Sequence, residues 1–317
     1  MTEIAERAGV SVTSALPDDF DRFLRGAIDT HVHGRPDLTV HAANRGRDLD
    51  AVRLAHAYGL AGWVLKSHLW TTMDRANLLT EAMAGTGFTV WGSVTLNPPV
   101  GGVDPTVVDL AAAHGAKVVF LPTWSSKADR ERGGYIQTLL RTLSSTFDRY
   151  HEDTQIELLD AGGRLAGATR EVIDACRERG LSLATGHASL AESRAIAEHC
   201  AEHGQPLMIT HPLHYVQRPE ELREFAGLGA LVEFPGAPLV HPEGHLTVRA
   251  TYEAIRAVGP EHVVLTTDVF SKWVPPEAEM LRMYVEQLFF LGCTAEQLRT
   301  MLVDNPRRFL GLPAARP

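Results

Sequence analysis

Short apolar runs alternate with longer amphipathic segments along most of the chain, which predicts β-strands alternating with helices. Strands that are joined by helices pair in parallel, and eight such units over roughly 250 residues fit a closed barrel better than an open sheet. We therefore predict a (β/α)8 (TIM) barrel. The eight predicted strands are Ala27–His33, Gly62–His68, Thr89–Asn97, Lys117–Thr123, Leu181–His187, Pro206–His211, Ala230–Pro235 and His262–Asp268.

Helix start signals recur between these apolar runs, as a βα repeat requires. Ser, Thr and Asp cap helix N-termini, Pro favours the first helical position, and a Glu or Gln three residues after the cap completes a capping box. The signals are Asp48, Asp104 followed by Pro105, Ser189 with Glu192, and Thr294 with Gln297.

Two segments depart from the repeat. Residues 1–26 precede the first strand and are predicted to be an N-terminal extension, so that the barrel domain comprises residues 27–317. The segment between Trp124 and Gly167, after strand four, is far longer than the two to six residues usual for a βα loop. Two interpretations remain open: a lid over the catalytic face, or an insertion packed by one helix, Ile136–Tyr150.

Composition and charge limit the classes of binding partner that the sequence predicts. The chain has 317 residues, 44% of them hydrophobic, and a net charge of -9 without a basic cluster. Nucleic-acid binding requires a Lys/Arg patch, so a small-molecule substrate is predicted instead. No apolar run approaches membrane length and the N-terminus lacks a signal-peptide pattern, which predicts a cytoplasmic protein with no membrane partner. The three cysteines, widely spaced, are interpreted as reduced thiols.

One predicted helix, Glu277–Leu291, has an unusually wide apolar face. This face can pack against the barrel or pair with a second copy of the chain in a homo-oligomer. Packing against the barrel is the favoured interpretation.

Candidate metal-binding chemistry begins at His31 and His33, at the end of the first predicted strand. Neighbours at i and i+2 share one face of a strand, so two imidazole nitrogens can bind one ion at the mouth of the barrel. The carboxyl ends of all eight strands converge there. Further ligand-type residues at strand ends are Lys66, His187, His211 and Asp268.

This order of residues resembles the amidohydrolase superfamily, in its phosphotriesterase-like and aminoacylase-like groups. The resemblance spans about residues 27 to 312 and includes the late segment Asn305–Gly311. It implies a metal-dependent hydrolase on a (β/α)8 barrel. The matched positions are His31 and His33 on the first strand, His187 on the fifth, His211 on the sixth and Asp268 on the eighth.

The chain departs from the commonest pattern on strand four, where many members carry a carboxylated lysine that bridges two metals. The only lysine of strand four, Lys117, lies at the wrong end. Lys66 lies near the carboxyl end of strand two, and we hypothesise that it is carboxylated and bridges the ions. The alternative is an unmodified Lys66 that binds an anionic substrate.

The resemblance implies two divalent ions, with zinc as the predicted metal and manganese, cobalt and iron also compatible with the ligands. His31, His33 and Asp268 would hold one ion, and His187 and His211 the other. The predicted activity is the cleavage of an amide, cyclic amide, lactone or ester bond by a metal-activated hydroxide. Asp268 would accept the proton and deliver it to the leaving group. The alternatives are a mononuclear metal-dependent decarboxylase of an aromatic or unsaturated acid, and a silent metal-binding barrel.

Four residues near the predicted mouth are candidates for substrate binding. They are Arg35, His68, Asn97 and Tyr215. Arg35 could clamp a carboxylate through its planar guanidinium group, or pair with a surface acid. Glu233 lies within strand seven, and its role depends on the face that it occupies.

Overall fold

The computed structural model describes residues 22–39, 47–216, 218–241, 244–270 and 274–315. Eight parallel strands follow one another around a nearly closed barrel in the order of the sequence, which confirms the predicted fold. The barrel is closed near its mouth, where the Asp268 amide donates to the His31 carbonyl at 3.0 Å. The strands are β1 (Ile28–His33), β2 (Gly62–Lys66), β3 (Thr89–Thr95), β4 (Ala116–Phe120), β5 (Ser182–Ala184), β6 (Leu207–Ile209), β7 (Leu231–Pro235) and β8 (Val263–Thr266).

Helices cover the outside of the barrel between successive strands. Their bounds are α1 (Asp48–Ala57), α2 (Met73–Ala82), α3 (Pro105–Ala113), α4 (Lys127–Glu131), α5 (Tyr135–Leu143), α6 (Phe147–His151), α7 (Gly167–Arg179), α8 (Leu190–His203), α9 (Arg223–Gly227), α10 (Val248–Val258), α11 (Glu277–Leu291), α12 (Ala295–Arg299) and α13 (Asn305–Phe309). No helix within the described residues is long and apolar enough to cross a membrane.

Most of the predicted helix starts are confirmed. Asp104 accepts a hydrogen bond from the Thr106 amide, and both predicted capping boxes are formed. Asp48 is the exception, because α1 already begins at this residue and Arg47 occupies the N-cap position. The Asp48 carboxylate instead pairs with the Arg75 guanidinium and accepts a hydrogen bond from the Arg35 amide. Tertiary contacts therefore use the carboxylate that the local sequence pattern assigned to a helix N-cap.

The core has two layers, as expected for a filled barrel. Side chains inside the barrel form one apolar cluster, which Phe309 and Leu310 complete after β8. A larger cluster fills the space between strands and helices. The helix α11 has the predicted bounds, and Leu281 and Leu288 on its inner face are fully buried, so its packing against the barrel is confirmed. The three cysteines are buried and free.

Residues 22–24 form a short 3-10 turn in which Phe23 packs against Phe289 of α11. The remainder of the predicted N-terminal extension, residues 1–21, lies outside the described residues. The division of the chain at residue 26 stays a prediction.

The insertion after β4 contains three short helices, α4 to α6, so the prediction of a single helix Ile136–Tyr150 was wrong. Ser144 has an extended backbone after α5, and its hydroxyl group bonds that of Thr146 at 3.1 Å. The helix α5 therefore ends at Leu143 instead of continuing to Tyr150. The insertion packs through a small apolar cluster of its own, made of Trp124, Ile136, Leu140 and Phe147.

Candidate metal centre

All six predicted ligands lie at one end of the barrel, although six of the eight strands end earlier than predicted. His31 and His33 lie on β1, and Lys66 is the last residue of β2. The other three follow β5, β6 and β8 by two or three residues: His187, His211 and Asp268. The φ angles are 29° at His211 and 50° at Asp268, a turned backbone that ends the strand and is rare outside glycine.

A compact group forms where β1 meets β8. Asp268 Oδ1 lies 3.0 Å from both His31 Nε2 and His33 Nε2. The amine of Lys66 lies 2.9 Å from His31 Nε2. The two histidines are fully buried and Lys66 is 1% exposed, so water does not separate these groups. One nitrogen of each histidine and one oxygen of Asp268 all lie within 4.8 Å of one another, which is close enough for a single ion to join them.

His187 and His211 form a second group at the same mouth. Their ring centroids are 4.9 Å apart, and the His211 ring lies 6.2 Å from that of His31. Both face a cavity of about 510 Å³ that is also lined by Lys66 and Asp268. The barrel thus brings together the six residues that the sequence singled out.

Two carboxylates hold histidines of the site from behind. Glu233 accepts from His31 Nδ1 at 2.7 Å, and is itself fixed by the Thr266 hydroxyl group at 2.7 Å. Asp129, from α4 of the insertion, accepts from His187 Nδ1 at 2.6 Å. Carboxylates in this position fix the ring orientation and leave the second nitrogen for a metal, which is typical of metal-bound histidines.

A third carboxylate, Asp37, joins β1 to the end of β2. It accepts from the His68 amide at 2.8 Å and from the His68 ring, and it lies 3.0 Å from His33 Nδ1. The His33 and His68 rings stack at 4.3 Å, and Phe270 packs against both. His68 therefore packs against His33 and holds its ring in place, and His68 also lines the cavity.

The charges of the site are strongly coupled. Burial disfavours a charged His31, but the carboxylates of Asp268 and Glu233 outweigh it and raise the pKa of His31 to about 9. Burial would raise the pKa of Asp268, yet the neighbouring His31 and His33 hold it well below its usual range. Burial lowers the pKa of Lys66, which favours a neutral amine.

The donor set fits a divalent cation. Imidazole nitrogens and carboxylate oxygens are ligands that zinc, manganese, cobalt and iron accept. His211 Nδ1 is buried and has no hydrogen-bond partner among the described residues, which is costly for a polar atom unless something binds there.

Of the four predicted substrate contacts, His68 alone belongs to the described lining of the cavity. The Arg35 side chain is exposed, and its amide bonds Asp48. Asn97 is fully buried, where its amide group joins the His68 carbonyl to Thr123. The Tyr215 hydroxyl group bonds Ser193 at 3.3 Å. Arg35, Asn97 and Tyr215 lie outside the described lining of the cavity, and substrate binding by these three residues stays a prediction.

A methyl group at Gly134 would overlap Asp129 Oδ2. We expect Gly134→Ala to displace Asp129 from His187 and to weaken metal binding by about 10- to 100-fold, the usual effect of losing such a supporting carboxylate. Competition with a chromogenic chelator measures the change. Gly167→Ala is the matched control, because a side chain there meets no atom within 4 Å. Unchanged metal affinity in Gly134→Ala would remove Asp129 from the supporting role.

A family model described as a family of unknown function (DUF6282) matches residues 26–233. The chain belongs to this family. The match to DUF6282 begins just before β1 and ends within β7 at Glu233, so it includes every candidate ligand except Asp268. A search of curated protein sequences finds no match.

Solved structures share the fold of this DUF6282 protein over nearly its whole length. An amidohydrolase from Pseudomonas aeruginosa has a TM-score of 0.62 at 14% identity, with 93% of this chain and 98% of that chain covered. An organophosphorus hydrolase from Deinococcus radiodurans has a TM-score of 0.55 at 17% identity, with coverage of 90% and 92%. A 2,6-dihydroxybenzoate decarboxylase from Rhizobium has a TM-score of 0.55 at 10% identity, with 90% of this chain and 99% of that chain covered. The predicted resemblance to the amidohydrolase superfamily is confirmed in the fold.

Proposed function

We propose that this protein is a metal-dependent hydrolase of the amidohydrolase type, which cleaves an amide, cyclic amide, lactone or ester bond of a small molecule. The convergence of His31, His33 and Asp268 beside Lys66 carries the proposal. Similarity to an amidohydrolase and to an organophosphorus hydrolase supports it at the level of the fold. The cavity of about 510 Å³ suits a small substrate.

Two groups of residues would hold two divalent ions, with zinc as the favoured metal. His31, His33 and Asp268 form the first group, and His187 with His211 forms the second. Bound divalent ions would lower the pKa of a coordinated water towards neutrality and polarise the scissile carbonyl group.

The carboxylate of Asp268 faces both the cavity and the histidines of β1, so it can accept the proton of the attacking water and pass it to the leaving group. Glu233 and Asp129 keep His31 and His187 in fixed orientations meanwhile.

Lys66 is proposed to bridge the two groups as a carbamate. A neutral amine attacks the carbon of carbon dioxide: a C–N bond forms, one C=O π bond opens so that its electron pair moves to oxygen, and an N–H proton passes to solvent. The lowered pKa of this buried amine supports the neutral form. Its position 2.9 Å from His31 Nε2 places it beside a proposed ligand atom, where an ammonium group would oppose cation binding.

A mononuclear decarboxylase is the second candidate. The compact arrangement within 4.8 Å includes His31, His33 and Asp268, but neither His187 nor His211. Among the proposed ligands, this arrangement would suit a single ion. The similarity in fold to a decarboxylase agrees with this alternative.

Metal content tests these proposals first. Elemental mass spectrometry on protein purified without chelator is expected to find about two ions per chain, because two groups of ligands are present. A panel of esters, lactones and amides should then reveal turnover. About one ion per chain, with decarboxylation and no hydrolysis, would favour the second candidate. No metal even after reconstitution would contradict both.

A further inference from the structure

One arginine, Arg132, lies in the cavity wall of a chain that is negative overall. The net charge of the chain is -9. The acidic residues in the described lining are Asp129 and Asp268, and both face histidines of the metal centre. Arg132 lies in the same lining, within the insertion. Asp129 is close enough for Arg132 to help lower its pKa, but its carboxylate pairs directly with His187, and Arg132 forms no ion pair with a carboxylate of the described wall.

Arg132 is held in place by neutral groups. Its Nη2 donates to the His187 carbonyl at 3.0 Å, and its guanidinium carbon lies 5.1 Å from the centre of the Tyr215 ring. Among the described residues, no carboxylate pairs with it. A guanidinium group has five N–H donors, so several remain for a ligand in a fixed, planar arrangement.

The cavity that Arg132 lines also has an apolar part. The apolar part of the wall consists of Ile136, Leu213, Pro238, Leu246, Phe270 and Val274. A ligand that contacts both parts needs an anionic group next to a hydrocarbon body.

We propose that Arg132 binds a carboxylate group of the substrate, and that the substrate is an amide or ester with a free carboxylate and an apolar side chain. The inference rests on the proposed function, because the bond to be cleaved is assigned to the metal centre. Arg132 contacts the carbonyl of His187, so the carboxylate lies next to that centre. The planar guanidinium donates two parallel hydrogen bonds to a carboxylate, which orients the substrate as well as binding it.

Binding of a matched pair of probes tests the site without turnover. The probes are 4-phenylbutyrate and 4-phenylbutyramide, which share an apolar body and differ in charge. Isothermal titration calorimetry on the metal-loaded full-length protein is expected to show tighter binding of the carboxylate. In Arg132→Gln that affinity should fall by about tenfold or more, while the affinity for the amide stays unchanged.

Two further variants separate specific from general effects. Arg141→Gln removes the same charge from the same insertion, where Arg141 pairs with Asp148, and should bind both probes like the wild type. Arg132→Lys keeps the positive charge but loses the planar guanidinium group that can donate two parallel hydrogen bonds, and it should bind the carboxylate with intermediate affinity. Metal content is measured in each variant, since Arg132 also contacts His187.

The proposal is overturned if the wild type shows no preference for the carboxylate, or if Arg132→Gln retains that preference. Hydrolysis of neutral and anionic substrates with equal KM in wild type and Arg132→Gln would likewise overturn the anion site and leave the proposed function intact. Loss of the preference in Arg132→Gln, in a protein that hydrolyses nothing, would keep the anion site and contradict the hydrolase.

Discussion

Replacing Asp268 by Asn is expected to lower kcat by about 10²- to 10⁴-fold, the range usual for the loss of a general base, while most of the metal stays bound. The Asp268 carboxylate lies 3.0 Å from two candidate ligand nitrogens and lines the cavity. An asparagine keeps an oxygen at this position but cannot accept the proton. The measurement is kcat on the best substrate of the panel, together with metal per chain.

The control for this variant is Asp109→Asn, which removes an exposed carboxylate from α3, where it pairs with Arg179. It should retain both turnover and metal. Undiminished kcat in Asp268→Asn would contradict the proton-transfer role. Loss of nearly all metal would instead make Asp268 essential for holding the ion, and its role in proton transfer would have to be tested on metal-reconstituted protein.

The residues that the sequence revealed are those whose position follows from the barrel itself. His31 and His33 are two apart on one strand, and parallel strands of a barrel must end at a common mouth. The convergence of six residues spread from 31 to 268 is a consequence of topology, so strand order sufficed to predict it. The strand bounds were less exact, because six of the eight strands end before the predicted residue. After β6 and β8, the backbone has a positive φ at His211 and Asp268, a conformation that the local sequence pattern does not predict.

The supporting carboxylates could not be predicted in the same way. Asp129 reaches His187 from a helix of the insertion, 58 positions away in the chain. Asp37 reaches His68 from a loop after β1. Neither residue lies at a strand end or in a recognisable motif, so only the folded structure reveals that each supports a histidine. The position of Glu233 is easier to predict, because Glu233 lies on a strand. The alternation of side chains along a strand indicates which residues face the inside of the barrel.

Three of the predicted substrate contacts, Arg35, Asn97 and Tyr215, lie outside the described lining of the cavity for a related reason. Asn97 is the last residue of the third predicted strand, a position typical of active-site residues in barrels, but its amide group donates a hydrogen bond to the His68 carbonyl of a neighbouring loop. Arg132, in contrast, lies in the insertion and not at the end of a strand, so the strand pattern does not single it out. Loops supply substrate contacts on this fold, and their conformation depends on distant packing.

Lys66 distinguishes the two candidate functions most directly, and its replacement has the second large expected effect. Lys66→Met removes the amine and nearly preserves the volume, so the buried site should stay filled. We expect metal content to fall from about two ions per chain to about one, and hydrolysis to fall by at least about 10²-fold, because no bridging group remains. Lys117→Met is the matched control, since Lys117 lies near the amino end of β4, away from the mouth. Native mass spectrometry of the wild type should show the added mass of one carbon dioxide, absent in Lys66→Met. Full metal content and activity in Lys66→Met, or a wild-type mass without the adduct together with activity that withstands removal of bicarbonate, would contradict the bridge.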